Sequence, residues 1–249
     1  MTSKRDFRKG LEDIARTKGS ITSVFSDFTR IAACAVANQS REPEYLEAIK
    51  PYSKEDLSKF TESFAYLIEE MQAKPFSDLL GQHYQEIASK STRDSRGEFY
   101  TPEPISELMA RIIIDPEKVI NDSKPVTMNE PTCGGGGMIL QAAKLFSPLY
   151  RNDDKSYVDL LRVTAQDLSP TACDMTYFNT TMWGIPTEII QGNTLTMEVQ
   201  NHWYNIHWYR VGEHYNRACK QLHQMTQQVN EPSVADYDLG SMKQMDLGF

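Results

Sequence analysis

Four consecutive glycines, Gly134 to Gly137, stand between a run that reads as a strand and a run that reads as a helix. Glycine lets a backbone turn tightly and lets another group approach the main chain, and its entropic cost disfavours such a cluster inside a helix or strand. Glu130-Pro-Thr-Cys-Gly134-Gly-Gly-Gly137 therefore closes a strand predicted over 125–129 and opens a helix predicted from Met138 to about Phe146. Further on come a strand predicted over 161–166, a helix capped by Ser169-Pro170 and ended by Gly184 and Pro186, and a third strand over 187–191. Strand, glycine turn, helix, strand, helix, strand is the order of a parallel α/β sheet.

The region before it carries no strand-like alternation. Phe60, Phe64, Leu67, Ile68 and Met71 fall on one helix face behind a capping-box sequence, Ser53-Lys-Glu-Asp56. A second helix is predicted from Ser77 to about Ser89, with Leu80, Tyr84 and Ile87 inward. Residues 89–97 are polar and read as a linker. Thr101-Pro102 reads as the N-cap and first position of a helix that buries Ile105, Leu108, Met109, Ile112 and Ile113 and stops before Asp115-Pro116. Beyond Asn193 the α/β pattern stops. An aromatic cluster (Trp203, Tyr204, Trp208, Tyr209) precedes a polar helix predicted over 211–229 and an acidic tail. The expected organisation is an α-helical N-terminal domain (1–95), a Rossmann-like α/β domain (96–200) and an aromatic segment with helix and tail (201–249).

Charge bears on partners. With 26 basic and 34 acidic side chains the net charge is −8, against the basic face that phosphate neutralisation demands of a protein binding DNA unaided. The longest apolar run, residues 31–37, is too short to span a bilayer, and no signal peptide is legible, so the expectation is a cytoplasmic protein. Cys34, Cys133, Cys173 and Cys219 lack paired spacing, and His202, His207, His214 and His223 have aromatic neighbours rather than acidic ones, so no metal site is expected.

Two acids carry the chemistry. Glu130, directly before the glycine turn, suits a cationic ligand group better than a pyrophosphate and points toward the ammonium of a methionine moiety. Asp167, directly after the second strand, is placed to accept ribose hydroxyls or, more simply, to cap the next helix.

Taken in order, Gly97-Glu-Phe-Tyr-Thr-Pro102, Glu130-Pro-Thr-Cys-Gly-Gly-Gly-Gly137, Gln166-Asp-Leu-Ser-Pro170 and Gly192-Asn-Thr-Leu195 resemble the modification subunit of type I restriction–modification systems, within the γ-class N6-adenine DNA methyltransferases. The resemblance implies a Rossmann-like S-adenosylmethionine-dependent core. It implies that Phe99, Thr101 and Pro102 line the cofactor's methionine end, Glu130 faces its ammonium, and Cys133 with Gly134 to Gly136 forms the floor. Gly135 replaces a more usual Ser or Thr. Asp167 would hold the ribose, Leu168 would pack on the adenine, and Asn193 would contact the adenine edge where Asp is common.

One departure stands against these matches. The family's Asn-Pro-Pro-aromatic catalytic signature, which holds the flipped adenine, is absent, since no Pro-Pro occurs in the chain. Asn201-His-Trp-Tyr204 is the nearest approximation and makes Asn201 and Tyr204 the catalytic candidates. Only three of about seven strands are legible, so the edge of the first strand is expected to need cover, from the aromatic segment, a protein partner or a second copy. Two functions follow. One is methyl transfer to adenine N6 in DNA, with a partner subunit reading the DNA. The other is a catalytically inactive methyltransferase-like binding protein acting through partners, for example on restriction–modification.

Overall fold

The computed structural model describes residues 6–88, 100–151 and 154–211. Five helices come first: α1 (Phe7–Lys18), α2 (Ile21–Ala35), α3 (Glu42–Ile49), α4 (Lys54–Ala73) and α5 (Leu79–Ile87). Their starts are chemically marked: Asp6, Ser20, Ser53 and Asp78 each accept a backbone N–H of the first turn. At Ser53 the capping box is complete, with the Asp56 carboxylate accepting the Ser53 N–H in return.

Two helices, α6 (Glu103–Ile113) and α7 (Pro116–Asp122), lead into β1 (Val126–Glu130). Then follow α8 (Gly137–Lys144), the short α9 (Pro148–Arg151), β2 (Leu161–Asp167), α10 (Pro170–Met182), β3 (Thr187–Asn193), β4 (Glu198–Tyr204) and α11 (Ile206–Val211). The strand order is β1-β2-β3-β4; the first three are parallel and β4 runs antiparallel to β3. Right-handed crossovers carrying α8 and α10 fit this order, and the result is the Rossmann-like half-sheet expected from the glycine turn.

Val163, Ala165 and Ile189 face the helices and are fully buried, whereas Arg162, Thr164 and Glu188 on the opposite face are half-exposed. Helix α10 is buried on nearly every side, because the sheet lies beneath it and the N-terminal helices lie above. Phe178 packs edge-on against Phe64 of α4, and Thr171 meets Ser26 of α2. The N-terminal helices and the sheet thus share one core. Burying a side chain such as Phe178 contributes on the order of 2 kcal/mol.

Arg41 fastens the same junction. Its side chain is 2% exposed and pairs with Asp174 of α10 at 2.8 Å and with Glu44 at 2.6 Å. Its guanidinium lies over the rings of Tyr177 and Trp203, 5.0 and 4.5 Å from their centroids. The Trp203 indole N–H donates to Glu44 at 2.9 Å, so β4 is tied to α3.

Three expectations need correction. Helix α6 begins at Glu103 with Pro102 as its cap position and no side-chain cap, rather than with Thr101 capping Pro102. It does not bury its apolar face: Ile105, Leu108, Ile112 and Ile113 are 48–74% exposed, and only Ser106 and Ala110 are buried, because no layer among the described residues lies against it. The third concerns β4, which was not expected. Its sequence, Glu-Val-Gln-Asn-His-Trp-Tyr, shows no regular apolar alternation, and its first five residues are exposed at the edge of the sheet. Gly192 permits its approach, since a Cβ there would lie 2.1 Å from the Glu198 carbonyl oxygen. The aromatic segment therefore covers the β3 edge, not the β1 edge. Among the described residues β1 pairs with β2 alone. The helix expected over 211–229 and the acidic tail lie, from residue 212 on, outside the described residues, as does the whole linker expected over 89–97.

Candidate functional site

The site is built where β1 and β2 end. The Cys133 N–H donates to the Gln166 carbonyl at 2.9 Å, stitching the start of the glycine turn to β2, and the Gly136 N–H closes the turn on the Cys133 carbonyl at 2.8 Å. Gly134 and Gly136 have φ of +55° and +85°, a left-handed backbone that glycine adopts without penalty. Helix α8 starts on Gly136 with no side-chain cap, so the N–H groups of its first turn are directed out of the helix toward the turn.

Asp167 organises both loops. Its Oδ2 accepts the Gly134 N–H at 2.9 Å and its Oδ1 accepts the Ser169 N–H at 2.9 Å. Helix α10 holds the turn from behind: Thr176 Oγ1 donates to the Gly134 carbonyl at 2.9 Å, and Asn179 Nδ2 donates to the Gly135 carbonyl at 2.8 Å. The same Asn179 amide donates to Asp78 Oδ1 at 3.1 Å, linking the turn to the cap of α5.

A cleft of about 50 Å³ opens in front of the turn, lined by Asp78, Tyr100, Thr101, Glu130, Thr132, Cys133, the glycines and Met138. A neighbouring cavity of about 190 Å³ shares Asp78, Tyr100, Thr101 and Gly137. Together they fall below the roughly 300–1,000 Å³ of small-molecule sites. One wall is Tyr100, whose ring would meet a Gly134 Cβ at 3.5 Å. Burial raises the Glu130 carboxyl above its ordinary value, opposed by a hydrogen bond from the Thr132 backbone and reinforced by the negative Asp167 nearby. Burial also pushes the Cys133 thiol well up, which keeps it protonated and neutral.

The geometry gathers Thr101, Glu130, Cys133, Gly134, Gly136 and Asp167 around one turn, with Pro102 at its mouth beside the larger cavity. Leu168 is 59% exposed directly after Asp167. Asn193 turns its Oδ1 to its own loop, accepting the Leu195 and Thr196 N–H groups, while Thr194 bonds the Pro131 carbonyl and draws that loop to the end of β1. Phe99 lies outside the described residues.

The catalytic pair does not assemble. Asn201 lies opposite Gln191 on β4 and donates to its Oε1 at 2.8 Å, whereas Tyr204 lies opposite Glu188. Side chains alternate across a strand, so residues three apart project from opposite faces and cannot address one base together. Tyr204 instead stacks with Trp208 and bonds Glu188; its hydroxyl is pushed up to about 12, first by burial and then by that carboxylate. Asp78, Thr176 and Asn179 were missed. The only signal for Asp78 was an acid at a helix start, and α10 reads as an ordinary apolar-and-threonine helix.

A third cavity, about 550 Å³, runs along the open edge of β1 between α6 and α7. It is lined mainly by apolar groups and by Glu130 and Met138.

Residues 76–239 match the N-6 DNA Methylase family, a span of more than half of the chain. This chain belongs to that family. It is similar to the type I restriction enzyme MpnII methylase subunit of Mycoplasma pneumoniae (strain ATCC 29342 / M129 / Subtype 1), 25% identical over 203 residues that cover 76% of this chain and 32% of that protein. The chain thus spans about a third of the length of this curated relative. Among solved structures, it is similar to the type I restriction-modification system methyltransferase subunit of Streptococcus thermophilus (22% identity, 77% of this chain, 40% of that chain, TM-score 0.38). It is also similar to a Listeria monocytogenes protein assigned to the class I S-adenosylmethionine-dependent methyltransferases (14% identity, 76% and 53%, TM-score 0.41). The family match opens at Phe76, so α5 and its cap belong to it. No described helix is long and apolar enough to cross a membrane.

Proposed function

We propose that this N-6 DNA methylase binds S-adenosylmethionine and forms the cofactor half of a cytoplasmic enzyme that methylates adenine N6 in DNA, with a partner polypeptide completing the sheet beside β1. The observation that carries the reading is Asp167 holding the glycine turn at the mouth of an acid-lined cleft, inside the segment that matches the family. The residues suit the ligand. Glu130 stands for the ammonium, Thr101 for the carboxylate, Asp167 for the ribose hydroxyls, and the exposed Leu168 for the adenine face. Phe99, Pro102, Cys133, Gly134, Gly136 and Asn193 complete the set. Glycines 134–136 bring bare backbone to the cleft, and Tyr100 swings off Gly134 to admit the nucleoside. When bound, the cofactor supplies an electrophilic methyl group.

The base-binding residues are assigned to the partner, because Asn201 and Tyr204 face opposite sides of the sheet. The exposed apolar face of α6 and the cavity along β1 are where that partner adds a strand and a helix. With a net charge of −8, the chain meets DNA through the partner.

Calorimetry with S-adenosylmethionine tests the pocket, and absence of binding overturns the reading. Tritiated cofactor with adenine-containing DNA then separates the two functions. No label from the chain alone and label after adding a modification-type partner supports the half-enzyme. A second reading, an inactive binding protein, is favoured by the split of Asn201 from Tyr204. It predicts cofactor binding without label in either mixture.

A further inference from the structure

We propose that Asp78, at the cap of α5, is a second carboxylate of the ligand cleft and binds the cationic amino-acid end of the ligand together with Glu130. This rests on the cofactor reading above and adds a residue from outside the α/β segment to the site.

The geometry has three parts. First, both hydrogen bonds that the Asp78 carboxylate accepts from described residues go to one oxygen: Gly81 N–H at 2.8 Å and Asn179 Nδ2 at 3.1 Å reach Oδ1. A cap needs only that oxygen. Second, the carboxylate lies against the glycine turn. A Cβ on Gly135 would stand 2.3 Å from Oδ2 and 2.5 Å from Oδ1, although the Gly135 backbone is not left-handed. A side chain at position 135 would therefore collide with this carboxylate. Third, Asp78 lines both cavities that meet at the turn, and among the described lining residues of the smaller one Asp78 and Glu130 are the only charged groups. Two acids with no base beside them select a cation. A primary ammonium, with three donors, can serve both carboxylates.

Electrostatics agree with the geometry. Burial pushes the Asp78 carboxyl up to about 6; the Gly81 and Asn179 hydrogen bonds oppose it, Glu103 at the start of α6 adds to it, and His83 on α5 opposes it. Glu130 on β1 is raised as well, first by burial. A site that is costly to charge when empty is one that a bound cation relieves.

The test is calorimetry on the full chain with two ligands: S-adenosylmethionine, and methylthioadenosine, which keeps the nucleoside and lacks the amino-acid end. Asp78→Asn keeps an oxygen for the cap and loses the charge; Asp78→Ser keeps a capping hydroxyl and guards against misfolding of the first variant. The expected result for both is a loss of at least about tenfold for S-adenosylmethionine with methylthioadenosine unchanged. Equal losses for the two ligands, or no loss, overturn the assignment while leaving the pocket intact. A wild-type chain that binds neither ligand overturns the cofactor reading, and this one with it.

Discussion

Asp167 and Gly134 are joined by one 2.9 Å hydrogen bond, so the acid expected to hold a ribose also holds the backbone of the glycine turn. Binding and folding therefore depend on the same side chain. Asp167→Ala leaves the half-buried Gly134 and Ser169 N–H groups without their acceptor, at about 1 kcal/mol for each hydrogen bond lost. The expected outcome is a lower urea midpoint and an S-adenosylmethionine affinity reduced by more than about tenfold. An unchanged midpoint would show that the turn holds its shape without Asp167.

Gly135→Ala tests the fit between the turn and α5. The added methyl meets the Asp78 carboxylate at 2.3 Å, so one of the two must move, and overpacking of this kind costs about 1–3 kcal/mol. In an Asp78→Ser background the smaller side chain leaves room. Most of the Gly135→Ala cost should disappear there, giving a double-mutant coupling above about 1 kcal/mol by urea denaturation.

The pH dependence of stability follows from Asp78. Its carboxyl titrates at about 6 in the fold, above its ordinary 3.8, so its contribution is fully present below the unfolded value and is lost as pH rises through about 6. The displacement corresponds to on the order of 3 kcal/mol. Asp78→Asn removes that penalty. Urea denaturation should find the variant at least as stable as wild type at pH 8, with its advantage shrinking toward pH 4, and a constant difference across that range would contradict the assignment. A more stable variant that binds ligand less tightly marks a group kept for binding at the expense of stability.

Arg41→Ala probes the junction of α3, α10 and β4. It leaves Asp174, 5% exposed, without its cation, and breaking a buried pair from one side costs about 3–5 kcal/mol. Trp203→Phe removes the indole N–H to Glu44 but keeps an aromatic ring, though a smaller one, beneath Arg41, and should cost about 1 kcal/mol. Thermal denaturation should rank the two in that order.

The sequence made β1, β2 and β3 legible to within two residues at each end, because β2 and β3 alternate buried and half-exposed residues and all three strands lie close to Pro or Gly turns. The complete Ser53–Asp56 capping box and the inward Phe60, Leu67 and Met71 were legible for the same local reason. What escaped depends on partners distant in sequence. Edge strand β4 has no apolar periodicity to detect, and its antiparallel return rests on Gly192 admitting the Glu198 carbonyl. The apolar spacing of α6 correctly implied a helix but could not say whether anything lies against Ile112 and Ile113, which are 74% and 73% exposed. At the site, Glu130, the glycines and Asp167 are contiguous motifs. Asp78 and Asn179, separated by 101 positions, meet only after folding.

Glu130 and Met138 line two spaces at once, the ligand cleft and the cavity along the open edge of β1. A polypeptide that seats on that edge and a small molecule that enters the cleft therefore press on the same two side chains. Their equilibria are thermodynamically linked: whatever factor the partner imposes on ligand affinity, the ligand imposes on partner affinity, and the sign is common to both. On the proposed function, a partner that tightens the hold on the methyl donor would itself be held more tightly by the loaded chain.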